Sequence, residues 1–233
     1  MKMVKIKSSL MILIFSLYAG GGYAANIDLY GGWAVNIDGV VTDSLFNDPI
    51  PSNVDISAFN ESTGVGSILV NLTAPLGAHS VDFFFDHEID ESINTYFNEN
   101  GSASGSLVSG QSWEIDEPGY LFGNIFDNFL ASTLDNSNSI PAGVEDDVSV
   151  AMGWDFNLGL DEMATITMLI SETAPTAVDA FYLTHHDTDS DYSIYFSSSL
   201  SITSTAAPVP APSTLLLLII GMLGIVKHKR SIF

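Results

Sequence analysis

From Val148 the chain alternates. Val148, Val150, Met152, Trp154, Phe156, Leu158 and Leu160 are apolar, and Ser149, Ala151, Gly153, Asp155, Asn157 and Gly159 between them are small or polar. A repeat of two is the side-chain period of a strand, and no helix produces it, so this stretch is a long strand with one face in a core. The same alternation recurs in Ile166, Met168 and Ile170, set among threonines. It returns in Tyr192, Ile194, Phe196, Leu200 and Ile202, set among serines. With Gly, Asn, Asp and Pro turns between them, about nine strand-rich segments are predicted, roughly 26–36, 54–60, 65–72, 80–89, 105–114, 147–158, 164–171, 179–185 and 192–203. The expected fold is mainly β, an antiparallel two-layer β-sandwich of jelly-roll-like form.

One segment breaks the pattern. Leu121, Phe122, Ile125, Phe126, Phe129, Leu130 and Leu134 recur at helical spacing, with Asp127, Asn128, Ser132 and Thr133 opposite. Asp116-Glu117-Pro118 before them supplies a start. The expectation is one amphipathic helix over an end or a face of the sandwich. It carries no Lys or Arg to meet lipid headgroups, so its apolar stripe reads as core packing.

Charge is partitioned. The only basic residues besides histidine are Lys2, Lys5 and Lys7 at one end and Lys227, Lys229 and Arg230 at the other, while all 28 carboxylates lie between. Such a surface repels nucleic acid and anionic membranes. It also repels itself, so compactness should depend on salt or divalent cations. There is no cysteine, so disulfides contribute nothing.

Three regions follow. Residues 1–24 read as a secretory signal peptide forming a short helix, with the lysines as its charged region, Leu10 to Tyr18 as its apolar region and Gly22-Tyr23-Ala24 before the cut. Residues 25–205 form one acidic domain, long enough to bury a core without staples. Residues 206–233 form a tail with a single hydrophobic helix over 215–226, bounded by a basic end at Lys227, Lys229 and Arg230 that acts as a membrane stop. That apolar run is twelve residues (Leu215 to Val226), roughly 18 Å as a helix against a hydrocarbon core of about 30 Å. It is short for a permanent anchor and reads as a tail to be recognised and cut.

Val209-Pro210-Ala211-Pro212-Ser213-Thr214, followed by a leucine-rich helix and basic residues, resembles the PEP-CTERM sorting signal of Gram-negative bacteria. Ala211 stands where that motif usually has Glu; Val209, Pro210, Pro212, Ser213 and Thr214 form the rest of the signal. The resemblance implies an exosortase, a membrane cysteine protease/transpeptidase, as processing partner, in a host that makes exopolysaccharide. The body also resembles a β-rich body often joined to this tail, through Asp147 to Phe156, Ala164 to Thr167, Phe181-Tyr182-Leu183 and Ile194 to Ser198. That body has no assigned activity.

The domain offers a few constellations for chemistry. Asp187, Asp189 and Asp191 alternate in what reads as a loop, a pattern of hard oxygen ligands that suits Ca²⁺. Tyr192 and Ser198 stand at the positions where an EF-hand needs Gly and Glu, so this is no EF-hand. Glu145-Asp146-Asp147 is a weaker candidate of the same kind. His185 and His186 are adjacent on a strand, so their side chains take opposite faces and cannot share one zinc. No nucleophile elbow is present, and without Lys or Arg nothing but backbone amides could meet an oxyanion. Trp33 and Trp113 are the candidate platforms for a sugar ring, with Trp154 in register with the core. The reading is a non-catalytic exported protein of the cell surface or extracellular matrix. It passes through the general secretion machinery, is held in the inner membrane by its tail as a single-pass precursor, and associates with exopolysaccharide after processing. The alternatives are a calcium-dependent carbohydrate-binding module and a secreted hydrolase.

Overall fold

The computed structural model describes residues 26–73, 75–90, 95–119, 121–177 and 179–205. The expected signal helix and C-terminal tail lie outside them. Among the described residues no helix is long and apolar enough to cross a membrane.

The strands in chain order are β1 (Ile27–Ile37), β2 (Val40–Asp43), β3 (Val54–Asn60), β4 (Val65–Leu72), β5 (Gly77–Ile89) and β6 (Glu99–Ser104). They continue with β7 (Gln111–Asp116), β8 (Ser149–Leu158), β9 (Glu162–Ser171), β10 (Tyr182–Asp187) and β11 (Tyr192–Ser204), and α1 spans Ile125–Ala131 between β7 and β8. Two antiparallel sheets result, ordered β2-β1-β5-β8-β7 and β3-β4-β9-β11-β10-β6. Their facing sides interdigitate into one core. Trp33, Val35, Phe83, Phe85, Val150 and Met152 come from the five-stranded sheet, and Ile68, Val70, Ile166, Met168, Ile194 and Phe196 from the other. Sequence neighbours pair through tight turns. Asp38 and Gly39, with φ of 54° and 82°, join β1 to β2 as a two-residue hairpin that needs left-handed backbone at both positions.

A second, smaller cluster covers the outer side of the five-stranded sheet. There Ile125, Phe129 and Leu134 pack on Ala34, Phe84 and Ala151. Phe84, Phe126 and Phe129 meet with ring centroids 5.1–5.8 Å apart. This cover changes the meaning of the β8 alternation. Ser149, Ala151 and Gly153 are buried as well as their apolar neighbours, so both faces of that half-strand are inside.

Three sequence expectations are corrected. There are eleven strands among the described residues: β2, Val40 to Asp43, is only four residues long, and β6 is polar in sequence, so neither carries an apolar alternation. β7 occupies Gln111–Asp116 rather than 105–114. The helix begins at Ile125, with Asn124 as its N-cap, and not at Pro118, because Asp116 is still strand and Gly119 and Gly123 adopt φ of 93° and 76°. Leu121 and Phe122, placed on the helix by spacing alone, are 88 % and 69 % exposed.

Candidate metal centre and aromatic cleft

Along β5 the residues Asp82, Phe84, Asp86 and Glu88 share the outer face of the five-stranded sheet, opposite Phe83, Phe85 and His87. Cross-strand register sets Asp86 against Ser149, whose hydroxyl donates to Asp86 Oδ1 at 2.7 Å. Continuing that register by two residues brings Asp147 beside Glu88. One carboxylate oxygen from each of Asp86, Glu88 and Asp147 lies within 4.8 Å of the others, the one such metal-ligand group among the described residues. Burial, helped by Asp86, Glu99, Asp146 and Glu117 nearby, pushes the Asp147 carboxyl up to about 7. Burial likewise raises Asp86 to about 6, against the opposing effects of the Ser149 hydroxyl and His185. Asp147 Oδ1 is buried without a hydrogen-bond partner.

The site opens at Asp147. A cleft of about 200 Å³ is lined by Asp147 and Glu117 together with Tyr96, Phe97, Leu121 and Phe122. Phe97 is 58 % exposed, and its ring centroid lies 4.1 Å from that of Tyr96. Carboxylates beside exposed aromatic faces are the groups that hold a hydrated divalent ion and a sugar ring.

Behind this site a second polar group sits inside the core. Glu99 Oε2 lies 2.6 Å from His185 Nε2, both side chains 1 % exposed, and Glu99 Oε1 accepts from the Ile89 amide at 3.1 Å. Burial lifts Glu99 to about 9 and lowers His185 to about 4, so the pair is a neutral acid beside a neutral imidazole. His186 turns to the other face, where its Nδ1 meets the Ser193 hydroxyl at 2.9 Å, as strand alternation predicts.

The aspartate run at the end of β10 is distributed differently from a cation loop. Asp187 is the last residue of β10 and fully buried, and its Oδ1 accepts from Asn98 Nδ2 at 2.8 Å and from the amides of Asp189 and Ser190. Asp189 and Asp191 are exposed, and the three belong to no metal-ligand group among the described residues. Of that sequence reading, only Asp147 in Glu145-Asp146-Asp147 falls in the cluster. Asp86 and Glu88 were missed because they sit inside a strand. Their alternation with Phe85 and His87 was the available signal. The expected platforms are also reassigned: Trp33 is buried in the core and Trp113 packs on Phe181 with centroids 5.9 Å apart.

His79 forms a clamp at the far end of β5. Its Nδ1 lies 2.8 Å from Asp38 Oδ2 and its Nε2 2.7 Å from the Pro75 carbonyl, so both nitrogens face acceptors and both must donate. Burial lowers its pKa, but the Asp38 carboxylate and the Pro75 carbonyl outweigh that and hold it above the ordinary imidazole value. A raised folded pKa stabilises fully below about pH 6.5 and is lost as pH rises through the folded value. NMR titration of the imidazole should therefore give a pKa above that of a free histidine. Asp38→Asn should lower it, and an unchanged value would remove the clamp.

No protein family, curated protein or solved structure matches this chain.

Proposed function

We propose that the chain is a non-catalytic exported protein of the cell surface or extracellular matrix, sorted and processed through its C-terminal tail by an exosortase and associated with exopolysaccharide. The observation that carries this reading is the partition of charge. Every Lys and Arg lies within the first seven or the last seven residues, and the β domain between them has none. Positive charge is thus confined to the segments that export and membrane retention require to be cytoplasmic. The acidic two-sheet body, of jelly-roll-like winding, suits a solvated extracellular layer and has no Lys or Arg to clamp an anionic substrate. Mass spectrometry of the protein from its native cell is the test. Cleavage near Pro212 is expected, and a mature chain ending at Phe233 overturns the processing.

A second reading is a calcium-dependent carbohydrate-binding module. It is favoured by the Asp86–Glu88–Asp147 group, whose carboxylates offer oxygens to an ion of six to eight ligands, and by the aromatic cleft that shares Asp147. Calorimetric titration with Ca²⁺ should release heat with the native chain and much less with Asp147→Asn, while Asp189→Ala binds as the native chain does. Binding retained by Asp147→Asn and lost by Asp189→Ala would move the ion to the Asp187 loop, and no heat from the native chain would end the reading.

A further inference from the structure

β10 accompanies β11 only as far as the Leu183–Phe196 pair, whereas β11 continues to Ser204 with β9 beside it. Along Ser197–Thr203 no strand among the described residues pairs with the other edge. Thr205 N–H donates to the Asp161 carbonyl at 2.6 Å, on the β9 side. Backbone groups alternate sides along a strand, so Ser198 and Leu200 turn their N–H and C=O away from β9. Both residues line a groove of about 520 Å³, which takes in Thr167 and Leu169 of β9 and, from the connecting segments, Val108, Pro175 and Phe181. The open edge is therefore one wall of a concavity, and its volume is that of a small-ligand site.

The groove holds a hydroxyl whose direction is forced. Trp154 and Gln111 also line it, and both donate to Ser198 Oγ, Trp154 Nε1 at 3.0 Å and Gln111 Nε2 at 3.2 Å. Gln111 is buried, and its Oε1 accepts from the Val108 amide at 3.5 Å, which fixes the amide with its nitrogen towards Ser198. A hydroxyl oxygen has two lone pairs, and here both are taken. The Ser198 proton is left for an acceptor, and none among the described residues receives it.

Charge narrows what that acceptor belongs to. Asp179 is the single charged residue of the lining. The outer face of the sheet beside the groove is also uncharged, with Thr165, Thr167 and Leu169 of β9 set opposite Ser201, Ser199 and Ser197 of β11. The other sheet is the reverse, with Asp82, Asp86 and Glu88 on its outer face. An anionic ligand would find no Lys or Arg here, and a cation is better served by the carboxylates elsewhere. Apolar walls, serine and threonine hydroxyls, one forced donor and unpaired backbone groups suit a ligand with C–H faces and many hydroxyls but no charge.

We propose that this groove binds an uncharged glycan, with a sugar ring against Leu169 and Phe181, an oxygen of it accepting from Ser198, and the chain continuing over the outer face of β9 and β11. The proposal names the class of polymer for the exopolysaccharide association put forward above and rests on that reading. It needs neither the processing of the tail nor the Asp86–Glu88–Asp147 group.

Affinity electrophoresis of the full chain tests it, in a polyoxyethylene detergent without sugar headgroups and with EDTA to silence any calcium site. The probes are the neutral and the anionic fractions of the native cell's own exopolysaccharide. The neutral fraction should retard the native chain. Leu169→Asp/Ser199→Asp, two carboxylates at exposed positions of the groove, should bind it at least about tenfold more weakly. Ser199→Asp alone should lose part of that affinity, and Leu160→Asp, exposed and outside the groove, should lose none. Retardation by the anionic fraction alone, or equal binding of the neutral one by the native chain and the double variant, overturns the groove and leaves the association with exopolysaccharide standing. A native chain that neither fraction retards overturns both. A native dimer in sedimentation that the double variant dissociates would assign the edge to a strand of a second copy and overturn the proposal.

Discussion

Phe129→Ala should destabilise the domain by about 3–5 kcal/mol in urea unfolding, the range for emptying a buried phenylalanine site. The residue is fully buried, and it joins Phe84 of the sheet to Phe126 of its own helix. Nothing else can fill the gap, because the cluster is small and separate from the main core. A helix of seven residues does not persist in water on its own account. Loss of the aromatic anchor should therefore release α1 and expose the sheet face beneath it. Leu130→Ala, at a side chain 43 % exposed, should cost less than about 0.5 kcal/mol. A cost under 1 kcal/mol for Phe129→Ala would mean that the helix is not docked in solution.

The second large effect is one of pH. Glu99→Gln should raise the melting temperature at pH 8 by on the order of 5 °C and change it little at pH 5. The folded state holds a proton on Glu99 up to about pH 9, whereas the unfolded chain releases it near 4.5. A pKa raised in this way gives stability that is complete below about pH 4.5 and drains as pH climbs towards 9, by at most about 1.4 kcal/mol per pH unit. His185 acts in the opposite sense. Its lowered pKa gives stability that is present above about 6.5 and lost as pH falls towards 4. Asp147 and Asp86, raised to about 7 and about 6, add to the loss on the alkaline side. The native domain should thus be most stable in mildly acidic solution. Glutamine keeps the shape of a protonated glutamate and can donate to His185 Nε2 while accepting from Ile89, so it removes only the titration. A Glu99→Gln variant that melts several degrees below the native chain at pH 8 would show instead that Glu99 is ionised against an imidazolium.

The strands that sequence reveals are those with one wet face or one apolar run. β3 and β4 fall on the predicted 54–60 and 65–72, and β8, β9 and β11 within a few residues of theirs. The strands it hides are held by neighbours. β6 reads Glu99-Asn100-Gly101-Ser102-Ala103-Ser104 and pairs because β10 lies beside it along its whole length. Its Gly101 is there for packing, since a Cβ would run into Ile115. The candidate site was hidden for a related reason. Periodicity sorts residues by face, and it does not say whether a face is wet or covered. Asp82, Asp86 and Glu88 are on the outer face of β5 but buried, because α1 and its loops lie over the sheet. Spacing along the chain cannot show which carboxylates a cover will enclose. Nor does it reveal that Phe97 and Phe122, far apart in sequence, share one cleft.

Asn36 has a consequence for the order of events during folding. Its Nδ2 donates to the carbonyls of Phe129 at 2.9 Å and Leu130 at 3.1 Å, and to the Ser132 hydroxyl at 3.2 Å, closing the C-terminal end of α1 from a strand 93 residues earlier. The helix thus lacks its final partners until β1 is in place beside β5. Its assembly must wait for the slowest kind of contact, one that closes a long loop. In a kinetic experiment α1 should appear late, after the sheet has formed, and should be the first element to leave when the domain opens.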